Sequence, residues 1–115
     1  MALRAYTTED VNDCRLAIWT GLLNGDSGVP LILGIYGDVS VQISGTFGTL
    51  GSVTLEGSND GTNYVALTDP QGNAITKTAE SIEQFLERTR YIRPNVTAGD
   101  GTTSLVVTVW AARIY

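Results

Sequence analysis

The chain has 115 residues, a 12.3 kDa mass, 43% hydrophobic residues and a formal charge of −5, enough for one domain and too little for two. Seven Lys and Arg against twelve Asp and Glu, with Lys77 the single lysine, make a surface that repels a phosphate backbone, so nucleic acid is not expected as a ligand. The absence of histidine removes the commonest general base and zinc ligand, and the single cysteine, Cys14, has no partner for an internal disulfide and reads as a small apolar thiol.

The first 28 residues read as a separate N-terminal segment. Thr7-Thr8-Glu9-Asp10 either starts a helix carrying Val11, Cys14 and Ile18 or belongs to an extended arm, and the residue pattern leaves both open. Arg4, Glu9, Asp10, Asp13 and Arg15 interrupt this stretch, so no export signal is expected. Leu22 to Gly28 is apolar and then turn-rich, which places the start of a compact β-sandwich, 29–115, near Val29. The longest apolar run, Val29 to Tyr36, contains Pro30 and Gly34 and falls far short of the roughly 20 residues of a membrane helix; no membrane partner is expected.

From Asp38 to Phe47 the residues Val39, Val41 and Ile43 alternate with polar ones, the period of two of a strand with one buried face. Val53 and Leu55 repeat the pattern and run into Ser58-Asn59-Asp60-Gly61-Thr62-Asn63, a hairpin signal, with Tyr64 to Leu67 as the returning strand. Asp69-Pro70-Gln71-Gly72-Asn73 is a second turn. Ser81 three residues before Gln84 forms a capping box, and Ile82, Phe85 and Leu86 at helical spacing predict one short helix over Ile82 to Arg88. Tyr91 to Thr97 and Ser104 to Trp110 flank Gly99-Asp100-Gly101 and predict a closing hairpin, with Pro94 at an edge or bulge because it donates no ladder hydrogen bond. The fold class is therefore all-β: an antiparallel, jelly-roll-like sandwich of six to eight strands with one short helix.

No group of residues has the spacing of a catalytic or metal site, and the chain is expected to be a non-enzyme without cofactor or metal. Asp26, Asp38, Asp60 and Asp100 near glycines match no calcium loop and read as turn formers. Arg88 and Arg90 share a strand face while Arg93 lies on the other, so the three do not converge on one anion and read as solvated pairs with nearby glutamates. Asn95-Val96-Thr97 matches a glycosylation acceptor but reads as coincidence without an export signal. The aromatic residues carry more information. In the last strand Leu105, Val107 and Val109 form one face and Val106, Thr108 and Trp110 the other, so both faces are largely apolar, as in a strand central in a stack or covered by another subunit. Trp19 and Tyr6 are further candidate anchors, and the expected interface residues are Leu3, Arg4, Tyr6, Trp19, Tyr36, Trp110 and Tyr115.

Asp38 to Gly48, continued by Gly51-Ser52-Val53-Thr54-Leu55-Glu56-Gly57-Ser58-Asn59-Asp60-Gly61-Thr62-Asn63-Tyr64 and by Tyr91-Ile92-Arg93-Pro94 and Gly99-Asp100-Gly101-Thr102-Thr103, resembles small virion proteins of tailed bacteriophages over about residues 29–115. Within that group the chain is most similar to head decoration, or cement, proteins. The resemblance implies a jelly-roll sandwich on the outer capsid surface, with the major capsid protein and a second or third copy of itself as partners. It carries no catalytic motif. Gly-Ser-Asn-Asp-Gly-Thr-Asn before an aromatic also resembles sugar-binding jelly rolls, so the alternatives are a carbohydrate-binding module of a tail or fibre, with Trp19, Tyr64 or Trp110 stacking on sugar rings, and a tail or connector protein.

Overall fold

A computed structural model describes residues 2–113, and every regular element in them is a strand. Two sheets face each other. The first contains β1 (Leu3–Arg4), β4 (Ser27–Gly28), β5 (Leu31–Ile32), β7 (Ser52–Ser58), β8 (Val65–Ala66), β9 (Thr76–Lys77) and β11 (Tyr91–Ala98). Its order is β1-β4-β11-β7-β8, with β5 also on β11 and β9 also on β7. The second contains β2 (Tyr6–Val11), β3 (Cys14–Leu22), β6 (Tyr36–Thr46), β10 (Ser81–Gln84) and β12 (Ser104–Arg113), in the order β10-β6-β12-β3-β2.

The alternation read from the sequence fills the space between the sheets. Val39, Val41 and Ile43 of β6 and Leu105, Val107 and Val109 of β12 face Val53 and Leu55 of β7 and Ile92 and Val96 of β11, all buried. Burial of each such side chain contributes about 1.5–3 kcal/mol. Leu31, Leu33, Leu67, Ile75 and Phe85 close the ends from loops and short strands.

Several expectations are corrected. The helix over Ile82 to Arg88 is absent: 81–84 form β10, paired antiparallel with β6 through Ser81 opposite Ile43 and Gln84 opposite Ser40. A helix would have put Ile82, Phe85 and Leu86 on one face; instead β10 satisfies the open edge of β6, and of the three only Phe85, just after the strand, is buried. Tyr91 to Thr97 and Ser104 to Trp110 form no hairpin, because β11 and β12 belong to different sheets and the Gly99 to Thr103 loop crosses between them. Pro94 lies in an interior strand. Its nitrogen faces the side where the ladder is interrupted between the Asn95–Ser27 and Ile92–Leu31 pairs, so no hydrogen bond is lost. The first sheet is not wholly antiparallel, since β1 runs parallel to β4.

No boundary falls between residues 28 and 29. From Leu3 to Gly28 the chain supplies strands to both sheets rather than a helix or a free arm: β3 pairs with β12 along its length, and β2 and β3 form a hairpin. Its two-residue turn, Asn12-Asp13, has φ of 50° and 64°, the two left-handed positions of a type I′ turn that Asn and Asp tolerate. Further along β3 the pairing slips between Leu105–Leu22 and Val107–Trp19, leaving an extra residue at Gly21, whose φ of 62° accommodates the bulge.

Candidate functional site

The two outer faces of the sandwich differ in chemistry. On the first sheet the central outward side chains are polar and paired, with Leu3 and Ile32 exposed toward its margin: Arg93 donates to Glu56 at 3.1 Å, Asn95 to Glu56 at 3.3 Å and Ser27 to Asn95 at 3.1 Å. Tyr64 lies against the Arg93 guanidinium, 3.8 Å from its ring centroid.

The second sheet turns an apolar spine outward. In β12 Trp110 sits opposite Leu16 of β3 and Ser40 of β6, and Thr108 sits opposite Ile18 and Gln42. Gln42 in turn pairs with Ile82 of β10, so Ile82, Ile18, Leu16 and Trp110 share one face. Opposite residues of an antiparallel pair project to the same side, about 4.5–5.5 Å apart, so these side chains form one surface. Trp110 is 39% exposed and Ile82 69%, while Leu16, Ile18 and Val106 are half-buried. No further layer of the described residues covers this face. Beside Trp110 a shallow hollow is lined by Asp38, Ser40 and Gln84, with Gln84 donating to Asp38 at 3.4 Å.

The seven residues expected at an interface do not converge. Trp110 is on the outer face, on the opposite side of β12 from the buried Leu105, Val107 and Val109. Trp19 is fully buried: it stacks edge-on against Tyr6, centroids 5.5 Å apart, and its indole N–H donates to the Val29 carbonyl at 3.0 Å. It is a core residue and no anchor, and the backbone at Gly28 passes so close to it that a Cβ there would meet its ring. Tyr6 is half-buried beside it. Tyr36 packs on the core at one end, under the Arg15 guanidinium at 5.2 Å. Leu3 and Arg4 lie on the far edge of the first sheet, Leu3 exposed and Arg4 paired with Asp26 at 2.7 Å. Tyr115 lies outside the described residues. The sequence does not single out Leu16, Ile18 and Ile82 for this face, because the β3 segment fits a helix or an arm and the β10 segment a helix; the strand period of Leu16 to Trp19 is the signal that points to it.

The charged clusters resolve into separate tasks. Asp60 accepts backbone N–H bonds from Asn63 and Thr62, and side-chain bonds from Asn63 and Ser58, which hold its carboxyl well below the usual range. Asp100 is lowered in the same way by the Thr102 hydroxyl and the backbone of Thr49 and Thr102. At Asp26 burial raises the pKa, but the Arg4 guanidinium and the N–H groups of Leu23 and Ala2 outweigh it and the net shift is downward. Asp26, Asp60 and Asp100 thus tie loops, as turn chemistry predicts, whereas Asp38 is no turn former: it lies within β6 and accepts from Gln84. Arg93 is apart from Arg88 and Arg90, which line an end cleft with Ile32 and Ile35.

No family model matches the chain, and no curated protein matches it. Among solved structures it is similar to the crystal structure of the SPBc2 prophage-derived protein YomS, with 12% identity and a TM-score of 0.65 over 90% of this chain and 97% of that one. At that identity the likeness shows the two-sheet all-β fold.

Proposed function

We propose that the chain is a structural protein of a bacteriophage particle, a jelly-roll-type decoration or cement protein that docks on the outer surface of the head through the outward face of the second sheet. The observation that carries this reading is the outward spine of Trp110 and Ile82 with the half-buried Leu16 and Ile18, set against a face on the other side whose centre is polar and internally paired. An uncovered patch with an aromatic at its centre is the composition of an interface core. The fold likeness to a prophage-derived protein and the sequence resemblance to phage virion proteins support the same setting. Mechanistically the role is mass action: each copy that binds only the assembled shell stabilises that state by its binding free energy, summed over many sites. The acidic balance suits the face left toward solvent.

The test is the copy number of this protein per particle relative to the major capsid protein, on heads separated from tails. Copies comparable to the capsid protein and retained on tailless heads support the reading; a few copies lost with the tail overturn it. Trp110→Asp leaves the interior untouched and is expected to weaken binding to purified heads about thirtyfold or more, the loss of one central aromatic anchor worth about 2 kcal/mol.

A second reading rests on the hollow beside Trp110, where an exposed indole neighbours Asp38, Ser40 and Gln84, as in a shallow sugar-stacking site. Quenching of Trp110 fluorescence by host-surface polysaccharide, lost in Gln84→Ala with head binding unchanged, would favour a carbohydrate-binding tail or fibre module.

A further inference from the structure

The four lateral edges of the two sheets are not alike. The first sheet ends in two-residue strands, β1 on one side and β8 and β9 on the other. On the second sheet β10 has four residues and a carboxylate, Glu83, held by Lys77 of β9 at 2.8 Å. The remaining edge is β2, six residues without Pro, Gly or Lys, paired with β3 in unbroken register from Tyr6–Trp19 to Val11–Cys14. Short strands, Pro, Lys and bulges guard many edges against pairing, and β2 has none of these four; its charges are Glu9 and Asp10, which restrict the registers open to it.

The hairpin turn decides which backbone groups this edge offers. A two-residue turn closes on a hydrogen-bonded pair, here Val11–Cys14, and the pairs then alternate, so Glu9 and Thr7 bond to β3. The N–H and C=O groups of Tyr6, Thr8 and Asp10 point away, toward the open side. We infer that β2 pairs antiparallel with β2 of a second copy of this chain about a two-fold axis at Thr8, joining the second sheets of the two copies into one continuous sheet.

Charge and register select this arrangement. With the axis at Thr8, each residue with outward backbone groups meets another, Thr8 its own copy and Tyr6 the partner's Asp10, while Thr7 lies opposite the partner's Glu9. Neither carboxylate faces a carboxylate. Moving the axis one residue toward the turn sets Glu9 against Glu9, which like-charge repulsion disfavours, and moving it the other way shortens the paired segment. The contact is isologous and closes at two copies. It also doubles the apolar docking face, because Thr7, Glu9 and Val11 lie on the same side as Ile18, Leu16 and Cys14. The pairing itself does not depend on what that face binds.

Sedimentation velocity of the purified chain tests it. The wild type is expected to sediment as a dimer. Thr8→Pro, which removes an outward N–H that no strand of the same copy uses, is expected to give a monomer with unchanged circular dichroism. In a Cys14→Ser background, Thr8→Cys is expected to form a disulfide-linked dimer under mild oxidation, since a hydrogen-bonded pair holds its Cα atoms about 5.5 Å apart, within disulfide reach. Glu9→Cys, whose diagonal counterpart is farther away, is expected to cross-link far less. A monomeric wild type, a dimer that persists in Thr8→Pro with native circular dichroism, or cross-linking by Glu9→Cys in preference to Thr8→Cys would overturn the inference. None of these outcomes bears on head binding, which the Trp110→Asp comparison measures separately.

Discussion

Leu50 has a left-handed backbone, φ 59°, with 84% of its surface open to solvent. Both features cost free energy, because Cβ crowds the backbone in that region and the side chain buries little in return. Leu50→Asn is expected to raise stability by about 0.5–1 kcal/mol, read as a higher midpoint in urea, since Asn tolerates this conformation better than Leu. Asn12 and Asp13 occupy the same region in the β2–β3 turn, and there the residue types already suit it. That Asn-Asp pair between two segments of strand-forming residues was a hairpin signal in plain view. It was obscured because Val11, Cys14 and Ile18 also fit a helical spacing, and periodicity over so short a stretch does not separate the two.

At the scale of elements, the ion pair between Lys77 and Glu83 joins strands of opposite sheets, β9 and β10, along one side of the sandwich. Both side chains are mostly covered, so removal of one leaves the other partly desolvated without a counter-charge. Lys77→Met alone is expected to cost about 1–3 kcal/mol, and adding Glu83→Leu to recover much of that loss, because a well-packed apolar pair replaces a partly buried ionic one at little net cost. A double-mutant cycle by denaturant unfolding measures the difference. The same strand shows why a local signature misleads. Ser81 and Gln84 satisfy a capping box as letters, yet the exposed edge of β6 offers this segment four residues of ladder pairing, and that gain outweighs a two-turn helix, too short to be stable by itself.

Across the whole molecule, acid is expected to loosen the loops before it melts the sheets. Asp26, Asp60 and Asp100 all have pKa values below the ordinary carboxylate value, and each holds a loop by accepting N–H bonds. A lowered folded-state pKa contributes stability above the unfolded value of about 3.9, and that contribution is lost as pH falls through the folded one. The melting temperature is therefore expected to be insensitive to these groups between pH 7 and 5 and to fall as the pH drops below about 4. A melting temperature unchanged down to strongly acidic pH would show that these carboxylates do not couple to folding.

The all-β class, the inward rows of β6, β7 and β12, the turn role of Asp26, Asp60 and Asp100 and the placing of Trp110 on the face opposite Leu105, Val107 and Val109 are legible in the residue order alone. All of these follow from a period of two and from side-chain chemistry within a few residues, which act before any long-range contact exists. Long-range packing sets what remains: that β11 and β12 part into different sheets, that Trp19 is core, that Pro94 faces a gap in the ladder, and that Ile82 joins Leu16, Ile18 and Trp110 on one surface. The physical reason is that strand partnership is a choice among edges far apart in the chain. That choice is made by which combination buries both inner faces and leaves fewest backbone groups unpaired, a quantity no local pattern contains.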